Sequence, residues 1–378
     1  MKFWKQKFYG TFTLMAILAL FGIIIGFTAC FTDWKGEGII TINLGGNSRS
    51  AMPWPPQEYG ILNKLEYVVT LSGNEELRIE SKGGNNIRAS VSPGRWSVKV
   101  DAFYLNQHYG TGKKDNVIVY AGQNNSVTVQ MIKAFGSMVE IPAGTLIWGS
   151  VVITLTAFKM GKYEVTQEQY QEVMGTNPSR FNSNPADGEV QGKRPVEQVT
   201  WYDAVEFCNK LSEMEGLIPV YTIANRTPIT GYPITAATVE ATWTYNGYRL
   251  PTDAQWEYAC RAGTTTNWHF GNAESELVDY AWYSKNSNSR THEVGKKLPN
   301  AFGLYDMHAN VYEWCWDWYG DYPTTAQTDY KGSVTGSDRV SRGGSWSRST
   351  GLDFRSASRS FTYPSYGSYE LGFRLVLP

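Results

Sequence analysis

The side chains of this sequence that could make or break bonds are few and scattered. The four cysteines are Cys30, Cys208, Cys260 and Cys315, and the four histidines are His108, His269, His292 and His308. No two histidines have metal-ligand spacing on one helix, so a zinc or iron centre built on them is not expected. Walker loops, dinucleotide fingerprints, His-Glu-x-x-His and Gly-x-Ser-x-Gly are all absent. Cys208 and Cys260 fall on the apolar faces of expected helices, where a thiol reads as a small buried hydrophobe. With Cys30 set aside as a lipidation candidate, three cysteines permit at most one disulfide and leave one thiol free, so this is no disulfide scaffold. A different chemistry appears near the C terminus. Between "RGGSW" and "LGFRLV", the span from Ser347 to Glu370 holds seven serines and three tyrosines, with no helical or strand period. Tyr, Phe and Arg supply contact area and hydrogen bonds, while Ser and Gly adapt at little steric cost. That composition suits binding rather than bond-making.

The elements that must position this span can be read upstream of it. From about residue 137, three helix starts each place a threonine three residues before a side-chain acceptor: Thr166 with Gln169, Thr200 with Asp203, Thr252 with Gln255. Each start is followed by an apolar face: Tyr170, Val173 and Met174; Ala204, Phe207, Cys208 and Leu211; Trp256, Ala259 and Cys260. Gly175, Gly216 and Gly263 stand where the helices should stop. Ten of the fourteen tryptophans lie between Trp148 and Trp346. Few helices, long unpatterned stretches and many aromatics imply an α+β domain with loops anchored by large side chains. Further upstream the style differs. "KLEYVVTLSG", "EELRIESKG", "NIRASVSPG", "RWSVKVDAFYL", "NVIVYAG" and "NSVTVQMI" alternate as half-buried strands between turn residues. Their spacing of about ten residues implies a small all-β sandwich, antiparallel in its pairing. The expected organisation is a leader over 1–29, a tether over 30–58, the sandwich over 59–134 and the α+β domain over 135–378. "GIITINL" in the tether is alternatively a first strand.

The leader resembles a bacterial lipoprotein signal. Lys2, Lys5 and Lys7 precede the apolar run "TFTLMAILALFGIIIGFTA", which ends at Cys30. Cys30 is therefore expected to carry lipid and to tether the chain to a membrane, on the outer membrane or cell surface. The alternative is an uncleaved anchor, since the run is long enough to span. With 34 Lys+Arg against 35 Asp+Glu, no nucleic-acid partner is expected. The chain is expected to be a monomer.

"MGKYEVTQEQYQEVMGTNPSRF", "RPVEQVTWYDAVEFCNKLS", "GYRLPTDAQWEYACRAGT", "PNAFGLYDMHANVYEWCWDWY", "RGGSW" and "LGFRLV" resemble, in order, segments of the formylglycine-generating enzyme-like domain, also called the sulfatase-modifying factor domain. The resemblance covers about 137–378 and implies a C-type-lectin-type fold. Fold alone does not carry the reaction. The enzymes bind copper(I) through two cysteines, three residues after the serine of Gly-Gly-Ser and five further on. Here those positions hold Arg348 and Asp353, and no cysteine follows Cys315. A guanidinium and a hard carboxylate cannot replace two thiolates on a soft monovalent metal, so no copper and no formylglycine synthesis are expected. The resemblance also implies a calcium site made by Asp306, the carbonyls of Ala309 and Val311, and Glu313, an all-oxygen set suited to Ca²⁺. The alternative is that Asp306 and Glu313 cap loops or pair with an arginine.

The tail itself resembles the variable region of proteins diversified by a retroelement that rewrites template adenines, in particular the variable lipoproteins of treponemes. Every residue from 347 to 369 belongs to the set Phe, Ser, Tyr, Leu, Pro, Arg, Thr, Ala, Asp and Gly. All of these are reachable from AAY asparagine codons by changing adenines, or are framework. "RSASR" and Pro364 match internal fixed points. The expected binding positions, within a variable region of about 347–370, are Ser347, Arg348, Ser349, Thr350, Gly351, Leu352, Asp353, Phe354, Ser358, Ser360, Phe361, Thr362, Tyr363, Ser365, Tyr366, Gly367, Ser368 and Tyr369. Two functions follow: a surface-tethered protein whose hypervariable face binds diverse protein or glycan ligands, or an enzyme of the same superfamily with altered chemistry.

Overall fold

A computed structural model describes residues 37–46, 64–84, 86–104, 107–133 and 137–378. Cys30 and the apolar leader lie outside the described residues. Among those described, no helix is long and apolar enough to cross a membrane.

The first unit is one seven-stranded sheet. Its strands are β1 (Gly38–Gly46), β2 (Glu66–Ser72), β3 (Glu76–Lys82), β4 (Asn86–Val91), β5 (Gly94–Tyr104), β6 (Gln107–Val119) and β7 (Asn124–Lys133), in spatial order β3-β2-β5-β6-β7-β1-β4. Alternation dictates the burial. On β2, Tyr67, Val69 and Leu71 are buried; on β1, Ile40, Ile42 and Leu44; on β4, Ile87, Ala89 and Val91. Inward residues from both halves of the sheet join one apolar cluster around Trp96. A flat sheet would leave one whole face wet, so this one folds over its own core as a sandwich does. Gly38–Gly46 is thus a strand rather than tether, pairing antiparallel with β4 and parallel with β7. That parallel pair is the exception in an otherwise antiparallel set. The run "QHYGTGKKD" also differs from expectation by continuing into "NVIV" as the single strand β6.

The second unit carries short strands and few helices. The three capping boxes form as the sequence predicts: α1 (Gln167–Met174), α2 (Trp201–Met214) and α3 (Asp253–Arg261) each start at a threonine whose hydroxyl accepts from the third-residue N–H. Gly175 ends α1 in the left-handed region, whereas Glu215 and the left-handed Ala262 cap α2 and α3 one residue before Gly216 and Gly263. A short α4 (Leu277–Tyr280) follows. The strands β8 (Met138–Ile141), β9 (Gly144–Trp148), β10 (Val151–Leu155), β11 (Phe158–Gly161), β12 (Tyr221–Thr227), β13 (Ala236–Ala241), β14 (Tyr312–Trp318), β15 (Gln327–Thr328), β16 (Arg339–Arg342), β17 (Ser360–Thr362), β18 (Leu371–Phe373) and β19 (Val376–Leu377) form four small sheets. The one that matters most has the order β17-β16-β14-β18.

So much irregular backbone needs partners, and the tryptophans supply them. Trp201, Trp256 and Trp314 are all fully buried. Their indole N–H groups donate to the Cys315 carbonyl at 2.9 Å, the Glu313 carboxylate at 2.7 Å and the Val199 carbonyl at 3.0 Å. Each ring therefore fills core volume and satisfies a polar group that no regular ladder reaches. Cys208, Cys260 and Cys315 form no disulfide and are buried, and burial pushes the Cys260 thiol up to about 12 and raises the other two well above their ordinary value. They pack as hydrophobes.

A candidate binding face on the C-terminal segment

The tail leaves the scaffold at β16 and rejoins it at β18. A buried arginine marks each junction. Arg342 pairs with Asp253 at 2.5 Å and Glu257 at 2.9 Å. Arg374 holds Glu313 at 2.7 Å and donates to the Gly161 and Tyr305 carbonyls. Both guanidiniums are fully buried, so each needs its paired carboxylate to exist there at all. Gly344 has φ 84°, and a Cβ there would lie 2.7 Å from Phe354, which is why glycine is required at the departure point.

Between the junctions the tail is stapled at its middle. Arg342 Nη1 donates to the Ser356 and Ser358 carbonyls, and the Ser356 N–H donates to the Asn267 carbonyl. Arg359 reaches Asp253 at 2.7 Å and the Gly320 carbonyl at 3.0 Å. Ser356 is fully buried. The stretch "RSASR", expected as fixed points, is therefore the anchor. Pro364 and Ser368 add backbone contacts, their carbonyls accepting from Trp201 N and Gln198 N.

The remaining tail residues divide by exposure. Leu352, Phe361, Tyr363 and Tyr366 are each more than half exposed. Arg348, Ser349, Thr350, Ser365 and Gly367 are also exposed, while Ser347, Asp353, Ser358, Ser360, Thr362 and Ser368 are half-buried. Tyr369 is 36% exposed and packs against Trp346, with Arg180 over its ring at 4.8 Å. Two expected positions are corrected. Phe354 is fully buried among Trp268, Leu277, Ala281, Tyr283 and Ala309, because the helical turn over Gly351–Phe354 points it inward beneath Gly344. Gly351 is buried as well, with room for no Cβ beside Trp268. Neither offers a side chain to a ligand.

Other residues join the face without any signal in the sequence. Tyr319 lies 4.2 Å from Phe361, and Arg359 sits over both Tyr319 and Tyr322. Phe181 meets Trp346 edge-on at 5.3 Å. These contacts join segments distant in the chain, so no local period announces them.

At the positions where the related enzymes hold copper, Arg348 lies 3.7 Å from Glu370 and its guanidinium sits over the Tyr312 ring. Asp353 Oδ2 accepts from the Thr350 hydroxyl at 3.0 Å. The nearest imidazoles are desolvated: burial lowers His269 to about 4 and His308 well below its ordinary value. His308 Nδ1 donates to the Phe354 carbonyl, which fixes the ring, while burial keeps it neutral against the pull of that bond.

The implied calcium residues are close together and buried. Asp306 Oδ2 accepts from Gly295 N at 2.7 Å, while Oδ1 is buried without a partner. Glu313 is taken up by Arg374 and Trp256. Glu164 accepts from Asn310 Nδ2 and Val311 N. Burial raises Asp306 to about 6 and Glu164 well above its ordinary value, each helped by its acidic neighbours. Three carboxylates against one guanidinium, with one orphaned oxygen, make a setting that a cation would relieve. Among the described residues no three His, Cys, Asp or Glu side chains converge on one metal-sized point, so such an ion would draw on the Ala309 and Val311 carbonyls.

With this geometry in view, the class is settled by comparison. Residues 123–378 match the sulfatase-modifying factor enzyme 1-like domain, and the chain belongs to that family. The match begins just before β7. The chain is 40% identical over 215 residues to the chaperone protein LppX of Paenibacillus barcinonensis, covering 51% of this chain and 71% of that one. It is 30% identical over 283 residues to the formylglycine-generating enzyme of Mus musculus, covering 64% and 75% respectively. Among solved structures, Treponema denticola variable protein 1 superposes with a TM-score of 0.60 and 42% identity, over 65% of this chain and 97% of that one. The architecture is accordingly of the treponemal variable-protein type, built on a sulfatase-modifying factor-like domain.

Proposed function

We propose that this chain is a non-catalytic, surface-tethered binding protein whose hypervariable C-terminal face engages protein or glycan targets. One observation carries the reading: large, exposed Phe and Tyr side chains rise from a segment pinned at both ends and in the middle by buried arginines. Exposed aromatics on a rigid base lose little entropy on binding and present much contact area. The likeness to a variable protein supports this, as does a relative named for chaperone activity. An enzyme of altered chemistry is the competing function. It would need a reactive group in the former copper site, where Arg348 and Asp353 stand; the described thiols lie elsewhere, buried in core clusters. The reading extends to lipid at Cys30, an outer-membrane location, a monomeric state, no nucleic-acid partner, and calcium at Asp306 and Glu313.

The test compares this locus among sibling isolates. Differences confined to adenine-derived positions within 347–369 are expected; differences spread over 137–346, or none, overturn the reading. Copper(I) titration of the full chain addresses the enzyme alternative. No tight thiolate site is expected, and finding one would reverse the conclusion.

A further inference from the structure

A second recess lies beside the tail and uses none of its side chains. It is a groove of about 540 Å³ between the start of α2, the strands β13 and β14, and the loop from Lys331 to Val334. Its walls are aromatic: Trp201, Tyr202, Trp316 and Trp318. Arg339, at the start of β16, lines it as well. This guanidinium is held between two rings, 3.8 Å from the Trp201 centroid and 3.4 Å from that of Trp318. Only 4% of Arg339 is exposed. Nη1 donates to the Trp316 carbonyl, but Nε is buried with no partner, and among the described residues Arg339 belongs to no ion pair.

A buried cation without a counter-charge is costly, and burial lowers Arg339 to about 9. Asp317 is the acid nearest in effect. Desolvation and Asp253 raise it, and among the described residues no ion pair or hydrogen bond joins it to Arg339. No carboxylate lines the groove, and Lys331 adds a second cation at the rim. The unmet need is thus for an acceptor with negative charge, and the aromatic walls ask for a ring to lie against them.

We propose that this groove binds a carboxylate carried on a six-membered ring, with Arg339 as the anion partner and the tryptophans as the ring platform. A uronic acid of a glycan and an aromatic carboxylate share that chemistry. The groove adjoins the tail: Trp318, Arg339 and Thr362 are register partners across the β14–β16–β17 sheet, and Trp201 N donates to the Pro364 carbonyl. It would act as a constant subsite beside a changing one, and it does not depend on the tail varying.

Calorimetric titration of the full chain tests this, with glucuronate and benzoate as probes and glucose and benzyl alcohol as their neutral counterparts. At least one acid is expected to bind, with its neutral counterpart roughly tenfold weaker or more. Glucuronate alone binding assigns the site to acidic glycans; benzoate alone assigns it to aromatic acids. Arg339→Gln should abolish that preference. Because Arg339 is buried and its replacement could disturb the sheet, Thr238→Trp provides a second arm. Thr238 is an exposed lining residue, and a ring there fills the groove while leaving the guanidinium in place. It should weaken binding roughly tenfold or more. The proposal is overturned if neither acid binds, if acid and neutral probes bind alike, or if Thr238→Trp changes nothing. Those results would leave the isolate comparison untouched.

Discussion

Phe354 and Tyr363 come from one compositional pool, yet the structure gives them opposite tasks. Phe354 closes a small core over Trp268 and Leu277, while Tyr363 stands 64% exposed. Phe354→Ala is expected to cost about 3–5 kcal/mol in denaturant unfolding, as buried aromatic truncations do. Tyr363→Ala should stay within about 0.5 kcal/mol of the parent while weakening capture of whatever target a given variant binds. Equal stability losses would show that exposure does not separate the two. Nothing in the sequence distinguishes these residues, because the tail has no period from which an inward face can be read. The discriminating fact is Gly344, whose missing Cβ makes room for the Phe354 ring. That contact becomes visible only once the chain is folded.

At the level of elements, the local signals were legible and the long-range ones were not. The capping boxes at Thr166, Thr200 and Thr252 place three helix starts because a cap is completed within four residues. The alternating runs likewise placed most strands of the β unit. The short "GIITINL" was ambiguous because its partners, β4 and β7, lie far along the chain. The tail's resemblance to a variable region pointed to "RSASR" as fixed, but the reason emerges only from Arg359 meeting Asp253 and Arg342 holding two carbonyls. Arg359→Ala should loosen that staple without removing the core. The expected outcome is faster limited proteolysis within 347–369 and a modest drop in melting temperature. An unchanged cleavage rate would mean that the junctions alone hold the segment.

The whole molecule carries a buried excess of acid around Arg374, which contributes to its response to pH. Asp306 titrates near 6 when folded against 3.8 in its ordinary state, and Glu164 is also raised. At these two carboxyls the folded chain therefore holds more protons than the unfolded one above about pH 4, so they favour the native state at low pH and lose that contribution as pH rises through about 6. In chelator, the melting temperature should fall between about pH 5 and pH 8, and Asp306→Asn should flatten that fall. Calcium added at pH 8 should restore stability to the parent by supplying the missing positive charge. No change on adding it would remove calcium from the functional reading. The staple at Ser356–Arg359 has a consequence of its own. It divides the tail into two arcs, each closed by shorter chain than the whole would need. Substitutions in 347–354 and in 360–369 should then combine additively, save where the Ser358 hydroxyl touches the Leu352 carbonyl across the divide. A repertoire built this way is a product of two nearly independent alphabets, and a change that ruins one arc need not ruin the other.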